Sequence, residues 1–155
     1  MKNNHKTYEV ELLPLTSKLC EPVYRIAAKS LPEHWSLQSV KDVLLYDNNI
    51  FYVAIQKGTN VVTGFAGIMM IADEAELLNI AVLPEYRESG IGQMLIDRML
   101  VEAKKHGAGR ILLEVRKSNN PARHLYEKNG FTSFAERKGY YNNPKEDAVI
   151  MEKRL

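Results

Sequence analysis

The sequence predicts a mixed α/β fold, a sheet with one strand–helix–strand crossover in its second half. Three observations predict it. Short strand-like runs of apolar and β-branched residues cover Ile50–Gln56, Val61–Ile71, Glu76–Val82 and Arg110–Arg116. Between the last two, Ile91, Met94, Leu95, Met99 and Ala103 recur at three- and four-residue spacing, which is the period of a helix. The turn Lys57-Gly58-Thr59-Asn60 joins the first two runs as a hairpin.

The elements follow in order. Thr7–Leu13 alternates and reads as a first strand. Ser17–Leu31 reads as a helical region, with Pro22 tolerated only in its first turn, and Leu31-Pro32 ends it. Ser36 is the N-cap of a short helix to about Tyr46. The hairpin Ile50–Ile71 comes next, and Glu76–Val82 closes at Pro84 as a third, mostly apolar strand. A helix runs from about Gly90 to His106, where Lys104, Lys105 and His106 suit the dipole and Gly107 suits the cap. Arg110–Arg116 is a strand, and Asn120–Lys128 a short helix with Pro121 early and Gly130 just past its end. Phe131–Arg137 and Ala148–Leu155 are the last strands, joined by a polar loop that holds Tyr140, Tyr141 and Pro144.

The chain has 155 residues, which predicts one domain over 1–155. Hydrophobic residues make up 45% and charged residues 26%, so a disordered chain is excluded. The 21 basic and 19 acidic residues leave a net charge of +2, too balanced for a protein that coats nucleic acid. A local basic pocket for one anionic ligand stays open. A single Cys, Cys20, excludes a disulfide framework and a multi-cysteine metal site, and is read as a buried small hydrophobe. The polar start Met1-Lys2-Asn3-Asn4-His5-Lys6 predicts no secretory signal. The most apolar run, Thr63–Ala72, is about half a membrane span. A cytoplasmic protein without membrane contact is the expectation.

The joint between the third run and the long helix reads Ile80-Ala81-Val82-Leu83-Pro84-Glu85-Tyr86-Arg87-Glu88-Ser89-Gly90-Ile91-Gly92-Gln93. A strand ends, a turn follows, and two glycines open a helix. Unpaired N–H groups and the positive end of the helix dipole then converge on one point, which suits a phosphate. A P-loop needs Gly-Lys-Ser/Thr, and here Gln93 and Met94 follow Gly92. A dinucleotide fingerprint needs a small residue where Leu95 stands. A glycine-rich turn without a ligand is the remaining alternative.

Arg87-x-x-Gly90-x-Gly92 resembles the Gln/Arg-x-x-Gly-x-Gly/Ala signature of the GNAT superfamily of acyl-CoA-dependent N-acyltransferases. The likeness extends through Asn79-Ile80-Ala81-Val82 and Leu113-Glu114-Val115-Arg116, then Ser118-Asn119, Leu125-Tyr126-Glu127, Gly130-Phe131, Tyr140-Tyr141 and Glu146 to Met151. These resemble ribosomal-protein-alanine N-acetyltransferases of the RimI type, as does Pro32–Ser36 at a looser spacing. The resemblance implies the GNAT fold, a mixed and mostly antiparallel sheet with the crossover at the cofactor site. It implies acetyl-CoA as acyl donor and coenzyme A as product. The pyrophosphate would lie on Arg87, Glu88, Ser89, Gly90, Ile91, Gly92 and Gln93, and the pantetheine arm along Ile80, Ala81 and Val82. Asn119 would touch the cofactor; its own sequence role is a helix N-cap.

Acetyl transfer to an amine needs a base for the amine, donors for the oxyanion and a proton for the departing thiolate. An α-amino group of pKa about 8 is roughly a tenth neutral at pH 7, whereas a lysine amine at about 10.4 is neutral only about once in 2,500. In Ile111–Arg116 the residues 111, 113 and 115 are apolar, so Leu112, Glu114 and Arg116 share the other face. Glu114 thus projects beside the crossover, either as a base or as a solvated neighbour of Arg116. The resemblance implies the base. Tyr126, on the short helix after this strand, is either a packing residue or the acid, and the resemblance implies the acid. The oxyanion donor would be a backbone N–H of Ile80–Val82. By the same resemblance Tyr140 and Tyr141 would line the acceptor's groove. Trp35 is read as a core residue, with a wall of the acceptor cleft as the alternative.

Nothing else competes. His5, His34, His106 and His124 lack metal-ligand spacing, and no Gly-x-Ser-x-Gly elbow is present. The sequence thus predicts an N-acetyltransferase acting by direct attack in a ternary complex. Its acceptor is a protein N-terminus, specifically the N-terminal alanine of a small-subunit ribosomal protein. The alternatives are an Nε-lysine or small-amine acetyltransferase, a non-catalytic acyl-CoA-binding regulatory module and, more distantly, a nucleotide-binding protein.

Overall fold

The computed structural model describes residues 7–30 and 35–155. The predicted stop at Leu31-Pro32 and most of the Pro32–Ser36 resemblance fall outside them, as do His5 and His34. The elements are β1 (Val10–Pro14), α1 (Cys20–Ser30), α2 (Leu37–Asp42), β2 (Asn49–Gln56), β3 (Val62–Ile71), β4 (Glu74–Val82), α3 (Ile91–Lys105), β5 (Arg110–Arg116), α4 (Asn120–Lys128), β6 (Thr132–Tyr141) and β7 (Glu146–Arg154). Short 3-10 turns precede α1, follow α2 and precede the glycine loop.

Local chemistry explains most boundaries. Pro22 is the third residue of α1, where a backbone N–H has no helical partner to lose. Ser36 caps α2, its hydroxyl accepting from the Ser39 N–H at 3.0 Å. The predicted second helix is α-helical only to Asp42 and tightens into a 3-10 turn over Val43–Leu45. Asn119 caps α4, its side chain accepting from the Ala122 N–H at 3.3 Å, and Gly107 follows α3 with φ of 88°.

All seven strands form one sheet in the order β1-β2-β3-β4-β5-β7-β6, and only β4 and β5 run parallel. Helix α3 is their crossover. It buries Ile91, Leu95, Ile96, Met99 and Ala103 on one sheet face against Ile111, Leu113, Phe131 and Met151. Helices α1 and α2 cover the other face, where Cys20, Val23, Ile26 and Val40 meet Phe51, Val53, Phe65 and Ala81. Each fully buried Leu, Ile or Met contributes about 1.5–3 kcal/mol. Cys20 is 1% exposed and packs as a small hydrophobe.

Two irregularities shape the sheet. In β4, Asn79 pairs with Gly67 but Leu77 pairs with Ile68, so Leu78 is an extra, bulged residue. A bulge bends its strand and sharpens the twist. Here it also swaps the faces: Ala75 and Leu77 pack on the α3 side before it, Ile80 and Val82 after it, while Leu78 and Ala81 pack with α1 and α2. The pairing of β4 with β5 stops at Glu76 and Leu112, just before the bulge. Beyond that point the two parallel strands part, and their carboxyl ends open a cleft.

The second irregularity corrects a prediction. Tyr140 and Tyr141 are not in a loop; they are the last residues of β6, and Tyr141 pairs with Glu146 across the hairpin. The strand survives a register shift between Arg137 and Tyr141 because Gly139 accepts φ of 63° and its N–H is taken by the Asp147 carboxylate at 2.8 Å. Only residues 142–145 turn.

Candidate active site

The glycine loop stands at the mouth of the cleft. The first turn-closing bond of α3 runs from Met94 N to Gly90 O at 3.0 Å. The backbone N–H groups of Gly90, Ile91, Gly92 and Gln93 have no backbone acceptor among the described residues. They point out of the helix start, where the dipole is positive. Gly90 has φ of 86°, and a Cβ built there meets nothing within 4 Å. At Gly92 such a Cβ meets only Leu125 Cδ2, at 3.8 Å. The loop is therefore an open cradle of donors, which fits a pyrophosphate.

The side chains around it are committed elsewhere. Ile91 is buried in the core. Arg87 Nε donates to Val82 O at 3.1 Å, and the Ser89 hydroxyl donates to Tyr86 O. The Gln93 side-chain amide donates to Asn129 at 2.6 Å and Asp97 at 2.8 Å, and accepts from Asn129 at 3.0 Å. What the loop offers a ligand is its backbone. Glu88 is exposed at φ of 59°, so its carboxylate is free to stay in water. The Gln93–Asn129 pair also ties the start of α3 to the end of α4, whose residue Asn129 sequence reading had passed over.

The register of β4 decides which strand groups face the cleft. Leu83 N donates to Thr63 O at 2.8 Å, and Ala81 sits opposite Phe65 two residues on. Hydrogen-bonded and non-hydrogen-bonded pairs alternate in an antiparallel ladder. Ala81 therefore turns its N–H and C=O to β3, while Ile80 and Val82 turn theirs to the side that β5 has left. Of the three residues predicted to hold a pantetheine arm, Ile80 turns out both backbone groups, Val82 turns out its N–H with its carbonyl taken by Arg87, and Ala81 turns out neither.

Two of the predicted titratable side chains lie on opposite faces of the sheet. Tyr126 is buried on the α3 face, its ring 5.7 Å from that of Phe131. Its hydroxyl has no hydrogen-bond partner among the described residues, and burial pushes the phenol far above its ordinary range. It is a proton donor that does not ionise near neutral pH. Glu114 lies on the other face, its side chain 20% exposed. Its Oε1 is 3.3 Å from Nη1 of Arg137 on β6. The Glu114 carboxylate and then burial raise the Tyr140 phenol above its ordinary range. Glu76, beside Leu112 in the last β4–β5 pair, shares this face; burial and then the Glu114 charge push its carboxyl up, and Arg137 draws it back. Glu76 and Arg137 were not singled out by sequence. Each is an ordinary charged strand residue until the register places it beside Glu114.

The predicted groove residues Tyr140 and Tyr141 pack edge to face at 4.9 Å, and Arg116 lies 4.5 Å over Tyr141. Arg116 further donates to Asn142 O at 3.0 Å and Pro144 O at 2.9 Å, which anchors the hairpin turn. Trp35 is partly buried against Phe51 at 6.0 Å; with the Asn79 amide turned so that its oxygen faces the indole, Nε1 donates to it at 3.0 Å, which joins the segment before α2 to the bulge. Asn119 is exposed at the start of α4 with its side chain in the cap.

Glu146 closes the site's far side. It accepts from the Ser118 backbone N–H at 2.5 Å, and lies 3.4 Å from Arg116. Hydrogen bonds from the Ser118 hydroxyl and N–H, then Arg116, hold its carboxyl below the usual range. A lowered carboxyl stabilises the fold fully above its unfolded value, and the contribution is lost as pH falls through the folded one, here below about pH 4.5. Glu146→Gln should therefore lower the melting temperature at pH 7 and do so progressively less as the pH falls below the unfolded carboxyl value. An equal melting difference at every pH would mean that Glu146 acts by packing alone.

The comparisons with known proteins agree with this geometry. A Bacillus subtilis (strain 168) protein, named provisionally as a ribosomal protein bS18-alanine N-acetyltransferase, is 39% identical over 129 residues, 83% of this chain and 85% of that protein. The crystal structure of the ribosomal-protein-S18-alanine N-acetyltransferase from Escherichia coli superposes with a TM-score of 0.86 at 30% identity, over 95% of this chain and 94% of that one. Arabidopsis thaliana NAA60, solved in complex with acetyl-CoA, shares the fold at a TM-score of 0.85 and 17% identity, over 95% of this chain and 99% of that one. The sequence model of the acetyltransferase (GNAT) family matches residues 20–131. With its cradle of N–H donors and its parted parallel strands, the chain belongs to the acetyltransferase (GNAT) family, and acetyl-CoA is its acyl donor.

Proposed function

We propose that this N-acetyltransferase acts on the α-amine of a protein N-terminus, and that its acceptor is the N-terminal alanine of a small-subunit ribosomal protein. One observation supports the reading. Beyond the point where β4 and β5 stop pairing, a carboxylate, Glu114, stands on β5 and a phenol that stays protonated, Tyr126, on the helix that follows it. The named activity of the Bacillus subtilis and Escherichia coli relatives supports the acceptor.

Acetyl-CoA supplies a thioester carbonyl open to an amine. The chain's own residues do the rest. Backbone N–H groups of Gly90–Gln93 hold the pyrophosphate, and Asn119 supports it at the start of α4. The turned-out backbone of Ile80 and Val82 orients the arm and meets the developing oxyanion with an N–H. Glu114 takes the proton of the incoming α-ammonium, directly or through a water. Tyr126 gives its proton to the departing thiolate. Tyr140 and Tyr141 wall the acceptor's path at the end of β6.

The testing experiment is a thiol-release assay with acetyl-CoA and two peptides. One has a free N-terminal Ala and an internal Lys; the other is identical but blocked at its α-amine. Turnover with the free peptide alone is expected. Equal turnover would move the acceptor to a lysine side chain, and coenzyme A binding with no turnover would make the protein a regulatory module. In the same assay Tyr126→Phe should slow kcat by about 10²-fold. The melting temperature and acetyl-CoA affinity should hold, because the ring keeps its packing on Phe131. An unchanged rate would leave Tyr126 a packing residue.

A further inference from the structure

Glu114 is not idle in the free protein. It faces the Arg137 guanidinium at 3.3 Å, and the Tyr140 ring lies against that guanidinium at 5.5 Å. An incoming ammonium ion would compete with the guanidinium for this carboxylate. Tyr140 and Arg137 are held very differently. Tyr140 is packed edge to face on Tyr141, and Tyr141 lies under Arg116, whose guanidinium is bonded into the hairpin turn. Arg137 reaches Glu114 only by crossing β7, since it pairs with Ala148 on one side of that strand while Glu114 pairs with Ile150 on the other. Its side chain is 56% exposed, and among the described residues it also meets the face of the Tyr140 ring at 5.5 Å. Arg137 is the group that can leave.

The charges agree with this. Glu76 and Glu114 bring two carboxylates to one sheet face, and Arg137 is the cation beside them. The groups that act on this cluster are Glu76 from β4, Glu114 from β5, and Arg137 and Tyr140 from β6. Without a cation the two carboxylates would stand unneutralised, so the place that Arg137 fills is one that an ammonium ion can fill in its stead.

We propose that Arg137 is a placeholder cation of the acceptor site: its guanidinium occupies the position at Glu114 that the acceptor's α-ammonium takes, and swings into solvent when the acceptor binds. The proposal rests on the reading of Glu114 as the acceptor-side base. Arg137 is a positioning residue in this scheme. It holds a positive charge at Glu114 until a substrate cation replaces it.

The test is steady-state kinetics of the full chain with the free-N-terminus peptide at low salt. Arg137→Ala should lower the peptide KM by about two- to fivefold, the worth of one half-exposed ion pair. The KM for acetyl-CoA should not move. The acid limb of kcat/KM should shift to higher pH, because a carboxylate that loses an adjacent cation holds its proton more tightly. Arg137→Lys, which restores a cation, should return both quantities toward wild type. A raised peptide KM in Arg137→Ala would mean that Arg137 binds the acceptor itself, and an unmoved KM and pH limb would make it a bystander; either overturns the proposal. Arg137→Gln and a melting curve guard against a folding defect. Glu114→Gln separates the two readings. If it stays active, the reading of the base has failed; if it is inactive while Arg137→Ala behaves as wild type, only the placeholder has failed.

Discussion

Glu114→Gln is expected to lower kcat by about 10³-fold, within the range of a lost general base, with acetyl-CoA affinity unchanged. Gln keeps the length of the side chain and one oxygen that can accept a hydrogen bond. It cannot take a proton from an ammonium ion. The cofactor cradle is built from α3 and the turned-out edge of β4, so it does not depend on this carboxylate. The acid limb of the pH–rate profile should flatten, and raising the pH, which deprotonates the amine in solution, should recover part of the rate. Stopped-time assays across pH, with coenzyme A binding measured separately, decide the matter. Wild-type rates at every pH would remove Glu114 from the chemistry.

Gly90→Val is expected to abolish measurable coenzyme A binding, by two independent effects. The Cβ and its two methyl groups would stand in the open space of the cradle, where nothing lies within 4 Å. The backbone at φ of 86° is also closed to a β-branched residue, at a cost of about 1–3 kcal/mol. The loop would then relax toward negative φ and turn its N–H groups away from their common focus. Titration calorimetry with coenzyme A reads the loss. Gly90→Ala separates the effects: its smaller side chain carries the backbone strain with little obstruction, so it should weaken binding without abolishing it. Unaltered binding in Gly90→Val would mean that the cofactor lies elsewhere.

The predicted order of seven strands and four helices matches the observed one, because each signal was local. The helical period of Ile91, Leu95 and Met99, the caps at Ser36 and Asn119, and the turn at Lys57–Asn60 are set by neighbours a few residues apart. The alternation around Glu114 placed it on the face opposite Ile111, Leu113 and Val115, and those three are buried. The Arg87-x-x-Gly90-x-Gly92 spacing led to the family and its donor for the same reason. A helix start is a short-range object, and its N–H groups converge whatever lies beyond them.

Where the chain was misread, partners distant in sequence decided. Tyr140 and Tyr141 look like loop residues beside Asn142, Asn143 and Pro144, yet β6 carries them because β7 supplies the pairing and Asp147 the bond to Gly139. Ala81 looks equivalent to Ile80 and Val82, yet the ladder with β3 turns its polar groups inward.

The sequence by itself determined the element order, the donor-lined turn, the face on which Glu114 stands and the family. Only the tertiary structure decided that the bulge at Leu78 parts β4 from β5, and that Glu76, Arg137 and Tyr140 converge on Glu114 from two other strands. The reason is physical. Periodicity and capping record interactions over a few residues of chain, whereas strand register is a choice among long-range pairings that a shift of one residue would reverse.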